Sequence, residues 1–244
     1  MTTRKHVAGT GAGGLAAADA LSAVARENPG LPAVFAEPSR MTPSPLETSV
    51  YEARLERLLQ YYALLERWGA ALNLSRRRGA EEWARADVAD AFLGLAALGA
   101  RVSEPRDWMD VGSGAGFPGL AVALLWPSCR VRWVESSKKR VSFLQRVARE
   151  LDLGNVEVLA QRVEDVQEDA EVVSTRATFP WQELSVLREV VRPGGCLVAF
   201  VGREPTSDEW EKFVERWGWR GERVPYVVDG MGPRAIAFAR RPQE

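Results

Sequence analysis

The sequence predicts an α/β protein with a mainly parallel sheet and helices on both faces. Three observations carry that expectation. From Arg106 onward, short apolar runs with strand character alternate with helical stretches. A glycine-rich turn, DVGSGAGFPG at Asp110–Gly119, links the first of these strands to a helix. The chain has 244 residues and is 46% apolar, which suits one domain with an ample core and a small appendage.

The elements follow in order. Residues 1–45 are rich in Ala, Gly, Pro and Ser and read as a flexible extension, with a short helix around Leu15–Arg26. GTGAGG at Gly9–Gly14 imitates a phosphate loop, but no strand precedes it. After Pro45, Leu55, Leu58, Leu59, Tyr62, Leu65, Trp68 and Leu72 recur at helical spacing and form one apolar stripe. A second helix is expected over Ala80–Leu98. These two make a helical cap at 46–100, in front of a core at 101–244. Within the core, strands are expected at Trp108–Val111, Val131–Glu135, Asn155–Leu159, Glu171–Ser174 and Cys196–Val201. The helices between and after them are Pro118–Trp126, Lys138–Leu151, Trp181–Val191 and Thr206–Trp217. Arg223–Val228 and Ala235–Ala239, joined through DGMGP, read as a closing antiparallel hairpin. Ligands of such a sheet bind at the carboxyl ends of its strands, near the first glycine loop.

Bulk composition excludes some classes. Net charge is -1, so overall basicity does not announce a nucleic-acid partner. Local charge is uneven: Arg130–Arg149 holds seven basic residues and one acid, a net of +6, while Glu150–Glu171 holds eight acids and one arginine, a net of -7. Two distant cysteines, Cys129 and Cys196, make neither a zinc cluster nor a disulfide framework, and no metal site is expected. A reducing cytoplasm is the expected compartment. No apolar run is long enough to span a membrane, and the N-terminal apolar stretch is broken by glycines and Asp19, unlike a secretory signal.

The glycine loop itself can be parsed two ways. GAGFPG, Gly114–Gly119, fits the dinucleotide fingerprint. DVGSGAG, Asp110–Gly116, fits the acid-then-glycines loop that holds S-adenosylmethionine. Asp110 at the strand end favours the second parse: a carboxylate repels a pyrophosphate and attracts the ammonium and sulfonium of that cofactor. Glu135, ending the second strand, can accept both ribose hydroxyls of either cofactor, or simply cap the helix after it. Glu164, in QRVEDV after the third strand, offers an acceptor to an adenine amino group, or is an ordinary surface acid. Lys138, Lys139, Arg140, Arg146 and Arg149 share the solvent side of one helix. Arg76, Arg77 and Arg78 stand together in the loop between the cap helices. Both groups suit RNA phosphates, and both also suit a solvated surface.

DVGSGAGFPGL, WVESSKKRVSFL, QRVEDV and VVSTRA, in this order and spacing, resemble the RsmG (GidB) family of bacterial methyltransferases of small-subunit ribosomal RNA. YYALLERWGAALNLS resembles the family's N-terminal helix, so the resemblance spans roughly residues 50–240. It implies a Rossmann-like class I fold, a mostly parallel seven-stranded sheet with the helical cap in front. It implies S-adenosyl-L-methionine as donor and a guanine N7 of 16S rRNA, in naked RNA or in the small ribosomal subunit, as acceptor. It places the cofactor against Gly112 and Phe117, the ribose on Glu135, and the adenine at Val163 and Glu164; Asp110, Gly114 and Gly116 of the same loop are expected beside the cofactor from the loop's own charge and backbone freedom. Arg176, in the STRA stretch, lies near both cofactor and target and is the expected catalytic residue. Lys138, Lys139, Arg140 and Arg76–Arg78 are the expected RNA contacts, and a monomer is expected.

Thr175, before Arg176, departs mildly from the family pattern, and three further positions depart more. Asp87 and Ala91 stand where the family carries His and Ser, and Val201 where it tends to carry Lys, with Arg203 nearby as a substitute cation. The chemistry tolerates the single histidine, His6, standing far from every motif, because guanine N7 has a free lone pair and no proton to remove. Other acceptors on the same fold, a nicotinamide dehydrogenase, and an RNA-binding relic without catalysis remain the alternatives at this level.

Overall fold

In the computed structural model, residues 12–28, 30–31, 45–72, 79–202 and 204–244 are described. The sheet has seven strands: β1 (Asp107–Val111), β2 (Arg130–Val134), β3 (Val156–Leu159), β4 (Ala170–Arg176), β5 (Val191–Val201), β6 (Arg220–Val228) and β7 (Gly232–Arg240). Their order is β3-β2-β1-β4-β5-β7-β6. The first five are parallel, and β7 runs antiparallel to both β5 and β6. The expected hairpin therefore closes one edge. β5 begins earlier than expected: Arg192–Gly195, read as a turn, lies inside the strand, where the β4 register shifts between Ala170 and Val172.

Helices α1 (Ala12–Glu27), α2 (Pro45–Leu72), α3 (Ala80–Trp83), α4 (Asp90–Leu98), α5 (Gly119–Leu125) and α6 (Lys138–Glu150) belong to one layer, and α7 (Ser207–Glu215) lies on the other face. The α2 stripe buries Leu58, Tyr61, Tyr62 and Leu65. Arg54 pins α2 to the end of α5 by donating to the carbonyls of Leu124 and Leu125 at 3.0 and 3.2 Å. Between α3 and α4 the chain winds as a π-helix over Ala84–Ala89, which widens one turn and turns Asp87 inward. The expected α-helix at Trp181–Val191 is instead a 3-10 segment, Trp181–Leu187. Its opening proline, Pro180, and its few apolar anchors, Leu184 and Leu187, favour short turns over a full amphipathic stripe.

The extension is partly built into the fold. The helix expected near Leu15–Arg26 is α1, and Ala17, Leu21, Val24 and the following Leu31 are buried in the core shared with α2 and Trp83. Asn28 accepts from the Asp229 amide at 2.9 Å through its side chain. Arg85 bonds Glu27 and the carbonyl of Asp229, tying α1 to the β6–β7 turn. The GTGAGG stretch begins outside the described residues, as do His6 and Arg203.

Candidate active site

β1 ends at Val111, and the loop that follows turns back sharply to start α5. Gly112, Gly114 and Gly116 adopt positive φ angles of 69°, 58° and 109°. At Gly112 a β-carbon would also collide with the Thr178 side chain, so only glycine fits there. The amides of Gly112 and Ser113 donate to the Val134 carbonyl at 2.9 and 3.2 Å, which holds the loop against the end of β2.

Glu135, one residue further, completes the arrangement. Its side chain is buried, with Oε2 accepting from the Gly114 amide at 3.0 Å and Oε1 from the Ser137 amide at 2.8 Å. It braces the turn into α6, and it faces the cavity with acceptor capacity left on both oxygens.

That cavity, about 530 Å³, lies at the carboxyl ends of the parallel strands. Its wall includes Gly112, Gly114, Phe117, Glu135, Val163, Glu164 and Arg176, as well as Arg140, Thr178 and Asp87. Its size is that of a small-molecule site. Val163 is buried and Glu164 exposed, an apolar floor with a carboxylate at the rim.

Two expected cofactor residues stand elsewhere. Asp110 does not line the cavity. It is 1% exposed beneath the loop, where Oδ1 accepts from Ser174 Oγ at 2.6 Å and Oδ2 from the Gly119 amide at 3.2 Å. It ties the start of α5 to β4, and Ser174 Oγ in turn accepts from Trp108 Nε1 at 2.8 Å. The physical reason lies in β1: residues Trp108 to Val111 are all buried, so a carboxylate there needs internal donors. Gly116 also misses the cavity wall, its amide donating to the Ser113 carbonyl at 2.7 Å.

Burial pushes the Asp110 carboxyl up to about 6, against the lowering effect of the bonds from Ser174 and Gly119. Its folded value is raised, so the folded protein holds this proton more tightly than the unfolded chain does. The corresponding stability is fully present below about pH 3.8 and is lost as pH rises through about 6. Relative to Asp110→Asn, the native protein should lose about 3 kcal/mol of unfolding free energy between about pH 4 and 7. Urea titrations of both proteins at several pH values test this, and parallel pH profiles would contradict it.

Arg176, at the end of β4, is held on three sides. Nη1 donates to the Ala86 carbonyl at 2.9 Å, Nη2 to Asp87 Oδ1 at 2.6 Å, and Nη1 lies 3.6 Å from Asp90 Oδ2. Burial works against its charge, but Asp87 and Asp90 outweigh it and the pKa is raised. The guanidinium also stands 5.9 Å over the Phe117 ring. Asp87, expected to depart from the family pattern, is therefore the partner of the expected catalytic arginine.

Asp90 carries a second set of bonds. Tyr226 Oη donates to it at 2.8 Å, and Arg234 donates from Nε at 3.0 Å and Nη2 at 3.4 Å. Asp87, Asp90, Tyr226 and Arg234 escaped the sequence reading as a group because they come from three distant segments. The acid pair on one helical stretch was visible, but its partners were not.

Lys138, Lys139 and Arg140 are exposed at the start of α6. Arg140 turns toward the cavity, with Nη1 3.7 Å from Glu135 Oε2. Arg76, Arg77 and Arg78 lie outside the described residues. Among the described residues no group of His, Cys, Asp and Glu could hold a metal ion.

Five parallel strands, an antiparallel β7 and a cavity of small-molecule size beside a glycine loop give this chain the Rossmann-like architecture of S-adenosylmethionine-dependent methyltransferases. The fold is shared with Pyrococcus horikoshii TYW2 in complex with MeSAdo, at a TM-score of 0.51 and 13% identity, over 65% of this chain and 64% of that one. The GidB family model, rRNA small subunit methyltransferase G, matches residues 54–235, and the chain belongs to that family. It is 42% identical over 166 residues to the ribosomal RNA small subunit methyltransferase G of Nitrosospira multiformis, 67% of this chain and 71% of the relative. It is 32% identical over 194 residues to the protein of the same name from Bordetella avium, covering 77% and 85%.

Proposed function

We propose that the protein transfers a methyl group from S-adenosylmethionine to N7 of a guanine in 16S rRNA. The observation that carries this reading is the cavity whose wall joins the Gly112–Phe117 loop and Glu135 to Arg176, in a chain of this family. The residues fit the cofactor. Bare glycine backbone lets a ligand approach closely at Gly114, where a β-carbon would meet nothing nearer than the Gly112 carbonyl at 3.7 Å, Glu135 keeps free acceptor capacity for ribose hydroxyls, and Val163 and Glu164 offer an apolar floor and an acceptor to an adenine.

The donor supplies a methyl on sulfonium; the N7 lone pair forms the new C–N bond, the C–S pair stays on sulfur, and the positive charge passes to guanine. No proton moves, so the chain needs placement and charge balance but no general base. The carboxylates of the cavity wall have other work: Asp87 pairs with Arg176, Glu135 braces the glycine loop, and Glu164 stands at the rim. Arg176 supplies a fixed cation at the boundary where the base meets the cofactor, with its charge offset by Asp87 and Asp90.

RNA contact is assigned to Lys138 and Lys139, with Arg140 shared with the cavity wall and Arg76–Arg78 as a second patch. No acid stands in the first turn of α6, where the helix dipole favours anions, so the lysines leave an anionic partner a favourable place. Lys138→Ala/Lys139→Ala should leave cofactor affinity unchanged and make the salt dependence of RNA binding shallower, its log–log slope falling by about 1 to 2. An unchanged slope in filter binding at several salt concentrations would count against the patch.

The expected setting is the reducing cytoplasm, where the protein acts as a monomer. Both cysteines are free and buried, and burial pushes each thiol up to about 12, which keeps them protonated and unreactive. Among the described residues no helix is long and apolar enough to cross a membrane.

The deciding experiment supplies methyl-labelled cofactor and small ribosomal subunits lacking the modification, then digests the RNA. Label in 7-methylguanosine is expected. Label in another nucleoside, or none while the cofactor binds, overturns the reading.

A further inference from the structure

A second cavity of about 350 Å³ shares Arg176, Ala177 and Phe179 with the first. Ala177, at a φ of 53°, turns the chain between the two. The rest of its wall is unusual for a polar surface dent. Trp181 and Phe200 join Phe179 as flat apolar faces, while Arg234 and Glu204 bring opposite charges to the rim with Gly202 between their strands' ends.

The arginine is prepared rather than loose. Asp90, 1% exposed, fixes its Nε and Nη2, and Asp90 is itself held by Tyr226. Nη1 takes no part in the bonds to Asp90, and it lies 4.0 Å from the place a β-carbon on Gly202 would occupy, at the cavity's edge. Glu204 is exposed and has no hydrogen-bond or ion-pair partner among the described residues. The cavity thus presents one fixed donor, one carboxylate acceptor and aromatic faces.

A base that is to be methylated on N7 must keep that atom free, so recognition falls to its other edge. The Watson–Crick edge of guanine carries the O6 acceptor beside the N1–H and N2–H donors. Adenine carries a donor at position 6 and an acceptor at N1, the reverse pattern. We propose that this cavity is the target-base pocket: Arg234 Nη1 donates to guanine O6, the Glu204 carboxylate accepts from N1–H and N2–H, and Phe179 and Trp181 give the ring its stacking surface. The assignment rests on the reading that the acceptor is guanine N7. It makes Glu204 and Arg234 the residues that discriminate guanine from adenine, since adenine would set two donors, and two acceptors, face to face.

The test uses the full chain, labelled cofactor, and two kinds of unmodified small subunit: native, and carrying adenine in place of the guanine that the native enzyme labels. Glu204→Gln, a change at an exposed side chain, is compared with the native protein. Cofactor affinity should be unchanged. On native subunits kcat/KM should fall about 10-fold, and the preference for guanine over adenine should shrink by at least about 10-fold, because glutamine can present a donor to adenine N1. Trp181→Ala should lower kcat/KM about 10-fold or more on native subunits without altering the preference. Native kcat/KM and full preference in Glu204→Gln, with 7-methylguanosine still formed by the native enzyme, would overturn the pocket alone. Label outside 7-methylguanosine would overturn the functional reading and the pocket with it.

Discussion

Arg176→Ala is expected to lower kcat/KM for subunit methylation by about 100- to 1000-fold, the usual loss on removing one fixed charged group from a reaction site. The guanidinium sits on the wall common to both cavities, and four groups determine where it points: the Ala86 carbonyl, Asp87, Asp90 and the Phe117 ring. Alanine would also withdraw the cation that Asp87 holds at 2.6 Å, so some loss of stability, about 3 kcal/mol, should accompany the loss of rate. Arg176→Lys separates the two effects. It keeps a positive charge near the acids but cannot span Ala86 and Asp87 at once, so stability should recover more than activity does. Thermal unfolding and single-turnover rates measure both. Full turnover by Arg176→Ala, with normal cofactor and RNA binding, would remove this residue from the reaction.

Glu135→Ala should weaken cofactor binding by about 100-fold, roughly 3 kcal/mol. Two losses combine. The carboxylate accepts from the Gly114 and Ser137 amides, so its removal loosens the glycine loop and the start of α6 together. The ribose hydroxyls assigned to it lose their acceptor as well. Glu135→Gln keeps one acceptor oxygen and should fall between the two. Calorimetric titration with S-adenosylmethionine or its demethylated product reads the effect directly. A dissociation constant within threefold of the native value would mean that the ribose is held elsewhere.

Most of the sheet was legible in the residues. Short apolar runs bounded by polar turns gave β1 to β3 to within one residue and the middle of β4, which extends one residue earlier and two later than expected. The loop glycines and Glu135 were legible for the same reason: each answers a local demand, a positive φ or a strand-end acceptor. What escaped depends on distant partners. Asp110 reads as a ligand group in a linear motif, yet its two donors, Ser174 and Gly119, become neighbours only when β4 and α5 are in place. Asp87 reads as a departure until the π-helical turn faces it toward Arg176. The burial of α1 was hidden by its composition, because alanine and glycine faces mark close packing as readily as they mark a tail.

The bond from the Asp229 amide to Asn28 spans 201 residues of chain. A ribosome adding about 5–20 residues each second leaves the first partner waiting roughly 10–40 s for the second. During that time the apolar side of α1, with Leu21 and Val24, has α2 to lie against but not the Glu27–Arg85–Asp229 clasp that secures it. β7 is in the same position: it separates β5 from β6 and is the last strand of the sheet to be synthesised. Until β7 is made, β5 and β6 have no strand between them to pair with, so the antiparallel half of the sheet forms in one late step.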